Sequence, residues 1–406
     1  MDLNPLLKST EIGTVDGISL QDLERVQTWL RFGETISKRE EGIVLNGYVL
    51  REGDPAGANP INIVLKTNLD YKCLSYEYLV GLEVNKLNPV IPNFIQTHGL
   101  FLIRNPDYDP NAEELGSYGE YIPYLMIEKV MGEQIDKVFP KLTEQQLNHL
   151  MLQLVLLLQV SQNIIDFTHY DLHLGNILYV ELPEPIVIHY RIGPNNNFDF
   201  STNYLLKVID YGYSHARLTT IPNGLYACVR HQALIEGIVP SVKDPLTDIM
   251  YFTSKGLWDY LANQYPNEHW FMIRNVHHHS FSSDFLRWLL YGNLAKQNYL
   301  SDDGHEDKFG EYVYAQPMDT LDDKFFIPQR IQELTKPQFD QKMKELINYA
   351  KQNWKMRPRV EHINDISYKW AELISGYKLH IVKQRPDQDL SKVIEYLTEK
   401  FLLLNK

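Results

Sequence analysis

The chain has 406 residues, 44% of them hydrophobic, enough for a large buried core and more than one lobe. Its formal net charge is −13 and it contains no basic tract, which argues against nucleic acid as a direct partner. Two cysteines, Cys73 and Cys228, are too few for a disulfide framework and fit a reducing compartment.

The start, Met1-Asp2-Leu3-Asn4-Pro5, lacks the basic and apolar stretches of a secretory signal. The greasiest segment, Leu150 to Val160, is interrupted by Gln153 and Gln159 and is too short to span a bilayer. A soluble cytoplasmic chain without a membrane partner is therefore expected. In chain order, residues 20–30 have helical periodicity and predict a helical extension over 1–34. Gly42 to Leu45, Gly47 to Leu50 and Ile61 to Lys66 then read as strands of an antiparallel sheet, with a turn at Glu52-Gly53-Asp54-Pro55.

A helix follows over 75–84, with Leu74, Tyr78 and Leu82 as its apolar stripe. Glu77 and Glu83 lie six residues apart, which is about 240° around a helix at ~100° per residue, so only one can face Lys66. Helical phase favours Glu77. Strands are expected at Phe94 to Ile103 and Tyr121 to Ile127, joined by a polar loop from Asn105 to Tyr118. The second runs out through Ile127-Glu128-Lys129-Val130-Met131-Gly132.

Thr143 and Gln146 form a capping-box pattern before a long helix whose core face is Leu147, Leu150, Leu154, Leu157 and Leu158. The helix delivers a polar loop, Phe167-Thr168-His169-Tyr170-Asp171-Leu172-His173-Leu174-Gly175-Asn176. Within it His169, Asp171 and Asn176 have the H-x-D-x-x-x-x-N spacing of a phosphotransferase catalytic loop. Asp171 can accept the proton of an attacking hydroxyl, and Asn176, after a turn eased by Gly175, can aim its amide oxygen at a metal. The alternating residues from Ile177 to Tyr204 predict an extended β-hairpin. The apolar run Leu205 to Ile209 then delivers Asp210-Tyr211-Gly212, an aspartate at the end of a buried strand.

Thr219, Thr220 and Tyr226 follow, with no A-P-E motif. Asp244 to Phe252 resembles the helix of such phosphotransferases whose Asp braces the catalytic loop through backbone N–H groups, a role that falls to Asp248 in preference to a plain helix cap. Consecutive side chains diverge, so His277-His278-His279 reads as packing or surface histidine rather than one chelating set. Ser301 to Lys308 is a charged surface loop. Helical periodicity resumes at Lys336, with Phe339, Met343, Leu346 and Ile347 on one face, and a last helix is expected near Leu390 to Leu404.

With the His169–Asn176 loop followed in order by Asp210-Tyr211-Gly212, the chain resembles the protein-kinase-like superfamily over residues 35 to 255. Asp210-Tyr211-Gly212 stands where that superfamily has D-F-G, with Tyr replacing Phe. The resemblance implies an α+β, bilobal protein-kinase-like fold, with a small antiparallel-sheet N-lobe and a mainly helical C-lobe. Its boundaries are 1–34 for the extension, 35–130 and 131–300 for the lobes, and 301–406 for a C-terminal helical extension. It implies ATP and Mg²⁺ as cofactors, Asp171 as catalytic base, and Asn176 and Asp210 as metal ligands. It further implies Lys66 bridging the α- and β-phosphates, Glu77 pairing with it, and Ile127 as gatekeeper. The Glu128 carbonyl and the Val130 amide would meet the adenine edge.

Only Gly42 to Val44 matches the end of the G-x-G-x-x-G-x-V loop, so the resemblance implies Gly42 and Val44 as the nucleotide contacts there, with Glu40 and Glu41 beside them. Tyr170 replaces the Arg of H-R-D and cannot pair a phosphorylated loop. His173 stands at the Lys of Ser/Thr kinases and would neutralise the transferring phosphoryl group. The run Asp171-Leu172-His173 with Gly175-Asn176-Ile177-Leu178 is similar to haspin-like protein kinases and to aminoglycoside and choline kinase-like enzymes. Tyr76 to Leu87 and Phe94 to Gly99 look most like uncharacterised kinase-like proteins of large DNA viruses. The implied activity is ATP-dependent phosphoryl transfer to a protein serine or threonine. The alternatives are a small-molecule kinase and a pseudokinase binding module.

Overall fold

The computed structural model describes residues 3–39, 42–50, 59–69, 71–108, 119–193, 196–219, 226–230, 238–252, 324–328, 331–354 and, with gaps, 369–398. Glu40, Glu41, the turn at 52–55, most of the loop at 105–118, Thr220, the three histidines at 277–279, the 301–308 loop and most of the 390–404 stretch lie outside the described residues. The architecture is mixed α+β, with a large, mostly antiparallel sheet. The chain divides into two compact units, one of residues 1–140 and 177–212, the other of residues 141–176 and 213–406.

The first unit begins with α1 (Asn4–Thr10), β1 (Glu11–Val15), β2 (Ile18–Gln21) and α2 (Leu23–Val26). Then come β3 (Leu30–Arg39), β4 (Gly42–Val49), β5 (Ile61–Lys66), α3 (Tyr71–Val84), β6 (Thr97–Arg104) and β7 (Tyr121–Glu128). The strands form one seven-stranded sheet in the order β1-β2-β6-β7-β5-β4-β3, in which β2 and β6 run parallel. Continuous helix over 20–30 is not observed. Asp16 and Gly17 take positive φ, as a two-residue hairpin requires, and the hairpin adds β1 and β2 to the sheet. Asp22 then caps only one helical turn, accepting from Arg25 N at 3.0 Å, before Leu30 opens β3. The sheet is accordingly larger than the few strands expected.

Alternation along the strands sends their side chains to two cores. Ile63, Leu65, Phe101, Ile103 and Met126 pack with Leu3, Leu7, Val26 and Trp29 from the N-terminal segment. On the opposite face Leu74 of α3 packs against Leu100 and Leu125. The same unit contains a second sheet. β8 (Glu133–Gln134), β9 (Ile177–Arg191) and β10 (Asn197–Val208) pair in the order β10-β9-β8, so the expected hairpin is present.

The second unit is built on α5 (Glu144–Ile165), with α4 (Ile135–Val138) belonging to the chain just before it. The capping box is formed: Gln146 N donates to Thr143 Oγ1 at 3.3 Å and Thr143 N donates to Gln146 Oε1 at 2.9 Å. Leu150, Leu154, Leu157 and Leu158 are fully buried. The helix ends at Asp166, whose left-handed φ of 55° turns the chain into the polar loop. Both Arg217 and Lys243 ion-pair with that aspartate. The unit also holds a two-stranded sheet, β11 (Tyr226–Arg230) with β12 (Lys324–Pro328), then α6 (Thr247–Tyr251), α7 (Lys336–Trp354) and a helical stretch at 375–380. Among the described residues no helix is long and apolar enough to cross a membrane.

Gly81 decides how closely α3 approaches the sheet. A Cβ there would lie 2.1 Å from Thr97 Oγ1 and 2.8 Å from Thr97 Cβ. Thr97 is buried and clamped at its backbone by both polar atoms of Asn85, so it has nowhere to move. Helix propensity alone would make Gly81→Ala stabilising by about 1 kcal/mol. The overlap reverses that sign. The substitution is expected to destabilise the protein by about 1–3 kcal/mol, read as a lower urea midpoint with unchanged m-value.

Candidate active site

In the first unit three predicted residues meet. Lys66, at the end of β5, places its Nζ 2.8 Å from Glu77 Oε2, 3.0 Å from Glu77 Oε1 and 2.7 Å from Asp210 Oδ1. Of the two glutamates on α3, Glu77 reaches Lys66 and Glu83 reaches Lys86. Burial works against the ammonium, but the two carboxylates outweigh it and hold the Lys66 pKa above its ordinary value. Lys66 is thus a fixed positive charge. It lies opposite Val44 on β4 and Leu125 on β7, inside the sheet.

Asp210 takes a positive φ of 65° two residues beyond the end of β10, a strained position for a non-glycine residue. Several bonds hold it there. Asn93, fully buried, donates from Nδ2 to the Leu206 carbonyl at 2.9 Å, and its own carbonyl accepts from Val208 N at 2.8 Å. Tyr211 is buried, and its hydroxyl accepts from Ile95 N at 3.1 Å while facing the carbonyls of Val208 at 3.0 Å and Ile95 at 3.2 Å. Burial raises its pKa well above the ordinary range, so the hydroxyl stays a donor. The tyrosine in place of phenylalanine therefore fastens the aspartate's turn to residues 93–95. Phe94, expected in a strand, makes one bridge to Val208, and β6 starts only at Thr97.

Gly42 and Val44 open β4. A Cβ at Gly42 would lie 2.1 Å from the Thr67 carbonyl oxygen, so this glycine is required by the close approach of two strands. Glu128 ends β7. Its carboxylate accepts from Gln96 N at 3.0 Å and pairs with Lys207 at 3.3 Å, and Val130 lies in the irregular stretch beyond it.

In the second unit the loop carrying Asp171 is held from beneath. Asp248, fully buried on α6, accepts from His169 N and from Tyr170 N, each at 2.7 Å, one per carboxylate oxygen. It braces the loop and does not cap its own helix, whose N-cap position is Leu246. Burial is the largest influence on this carboxylate and drives its pKa up to about 7. The two N–H bonds and Lys378 work the other way, and Asp244 adds to the rise.

Asn176 donates from Nδ2 to the Asp171 carbonyl at 2.8 Å and to Asp171 Oδ2 at 3.2 Å, which turns its amide oxygen away from that aspartate. His173 accepts from Gly175 N through Nδ1 at 3.0 Å and points Nε2 toward Asp171 Oδ2, 3.8 Å away. His169 is buried and accepts from Asp171 N at 3.2 Å. Thr168 and His215 exchange backbone bonds of 3.1 and 2.7 Å. Burial, the largest influence, depresses His215 to about 4, and its Nδ1 donates to the Pro240 carbonyl at 2.7 Å. Among the described residues no three His, Cys, Asp or Glu side chains cluster as a metal site.

Two residues had no part in the sequence reading. Asn93 lies in a loop without periodicity, and Lys378 lies in an ordinary helical stretch of the tail. Nothing local marks either as buried.

No protein-family model matches the chain. Over 194 residues, 47% of the chain, it is 23% identical to a protein named "Probable kinase 098L" of Invertebrate iridescent virus 3. Over 169 residues, 37% of the chain, it is 27% identical to "Uncharacterized protein 035R" of the same virus. The matched segments cover 32% and 15% of the lengths of those two relatives.

Phenylalanine at position 211 would keep the ring and delete the hydroxyl. Tyr211→Phe is expected to cost about 1 kcal/mol, since Ile95 N keeps its longer bond to the Val208 carbonyl while two buried carbonyls lose a shared donor. Equilibrium denaturation checks it; unchanged stability would mean that the hydroxyl does not fasten the turn.

Proposed function

We propose that the protein is an ATP-dependent phosphotransferase of protein-kinase-like, bilobal fold that transfers the γ-phosphoryl group to a protein serine or threonine hydroxyl. The observation that carries the reading is Lys66, held charged between Glu77 and Asp210. A lysine fixed in this way is a phosphate-binding charge whose position does not depend on a flexible side chain. The distant similarity to a viral probable kinase supports a kinase-type activity in general.

In this reading Lys66 takes the α- and β-phosphates, Glu77 orients it, and Gly42 and Val44 lie along the nucleotide. Backbone atoms of Glu128 and Val130 take the adenine edge. Asp210 offers a carboxylate at a strand end and Asn176 an oriented amide oxygen, hard oxygen donors of the kind Mg²⁺ prefers. Bound Mg²⁺ would neutralise the phosphate oxygens. Asp171 accepts the proton of the attacking hydroxyl, and its place is set by Asn176 and by the Asp248 brace. His173 ties the loop through Nδ1 and offers Nε2 beside Asp171 for the transferring group.

The test is γ-phosphoryl transfer from Mg·ATP by the full chain, with generic protein substrates, with aminoglycosides and choline, and with autophosphorylation monitored. Asp171→Asn and Asp210→Asn should each lower turnover by about 10³-fold or more at unchanged thermal stability. Turnover within a few-fold of wild type in either variant would remove that residue from the mechanism. Transfer only to the small molecules would reassign the acceptor, and no transfer at all would leave a nucleotide-binding module.

A further inference from the structure

Lys378 is among the most deeply buried cations of the described residues, with 1% of its side chain exposed. Its Nζ lies 3.3 Å from Oδ2 of Asp244, itself buried, and 4.4 Å from the centroid of the Tyr170 ring. Tyr170 is the residue whose N–H Asp248 accepts; it has a positive φ of 65°, and its hydroxyl donates to the Val242 carbonyl at 2.5 Å. One lysine therefore joins buried Asp244 to the ring of the residue preceding Asp171, whose N–H Asp248 accepts.

The segment carrying Lys378 is firmly seated. Leu334 N donates to the Gly376 carbonyl at 3.0 Å, and Tyr377 stacks on Phe339 with ring centroids 4.6 Å apart. His380 and Lys383 both pair with Glu333, and Leu390 N donates to Gln159 Oε1 on α5 at 3.1 Å. A side chain placed with this much support is not a chance contact. Its cost is large as well, because burying an ammonium is unfavourable unless its charge is used.

The charge has a clear use. Asp248 accepts one N–H on each oxygen most strongly as a carboxylate, since protonation makes one oxygen a donor and weakens it as an acceptor. Two buried aspartates close together tend to share a proton, and a cation beside them prevents that. We propose that Lys378 is a positioning residue for the Asp171 loop: lodged between Asp244 and the Tyr170 ring, its charge favours the carboxylate form of Asp248, which in turn fixes the His169–Tyr170 backbone that presents Asp171. The proposal rests on the phosphotransferase reading for the importance of the loop, but the brace can be read without turnover. The C-terminal segment is then part of the machinery of the site.

The groups around Asp248 are Asp244 on its own stretch, Lys378 from the C-terminal segment, and His169 and Tyr170 on the loop. His215 and Lys243 lie further out, His215 feeling the charge of Lys378 as well as its own burial. Because burial drives Asp248 up to about 7, its ionised fraction falls as pH drops through neutrality, and the bonds to His169 and Tyr170 weaken on the acid side.

The experiment is amide hydrogen exchange at His169 and Tyr170 in the full chain as a function of pH, corrected for intrinsic rates, with the α5 amides as fold control. Lys378→Met should move the loss of protection about one unit to higher pH, making exchange near neutrality about tenfold faster. Lys378→Arg should restore it. Asp244→Asn, which removes the repelling carboxylate, should move it to lower pH. Equal protection within about twofold and an unmoved midpoint in folded Lys378→Met would overturn the proposal. If that variant does not fold, an unmoved midpoint in Asp244→Asn overturns it instead. Wild-type protein that transfers no phosphate but shows these shifts would sink the phosphotransferase reading alone.

Discussion

The site in the first unit depends on one partly buried lysine whose charge two carboxylates favour against desolvation. Lys66 draws them from α3 and from the turn after β10. Each partner is held by its own support. Glu77 is seated because Gly81, one helical turn on, lets α3 lie against Thr97. Asp210 is held in a left-handed turn by Asn93 and Tyr211, which fasten β10 to residues 93–95. Loss of either support would leave the lysine charged and badly aimed, which is a different failure from losing the lysine itself.

The second unit meets a related demand with the sign reversed. Asp248 accepts two backbone N–H groups at full burial, and they do not by themselves overcome the desolvation that pushes it toward neutrality. A buried ion pair is a poor source of stability, because desolvation offsets most of the attraction. The Lys378–Asp244 pair under Tyr170 is better understood as specifying which loop geometry is populated. Removing one partner of such a set costs far more than removing the set.

The sequence carried a good part of this. The long α5, its capping box and the β9–β10 hairpin follow from local pattern alone. Glu77 rather than Glu83 follows from helical phase, because an angle of about 240° leaves one choice. The loop brace by Asp248 was readable as a possibility beside an ordinary helix cap. Other features were less accessible. Helical periodicity over 20–30 concealed the Asp16-Gly17 hairpin, whose signal is only two residues long, and with it the extra strands. Gly42 resembles a nucleotide-loop glycine, and its contact with the Thr67 carbonyl shows up only once strands β4 and β5 are paired. Asn93 and Lys378 act through contacts more than a hundred residues away in sequence, which no local window samples.

The central claim is that the fixed charge of Lys66 exists to meet phosphate. Calorimetric titration compares Mg·ATP with adenosine, for wild type and for Lys66→Met. The account predicts that wild type binds Mg·ATP at least about tenfold more tightly than adenosine, a gap of about 1.4 kcal/mol, and that the variant loses most of that gap while still binding adenosine. Equal affinities for the two ligands in wild type, or an undiminished gap in Lys66→Met, would contradict it.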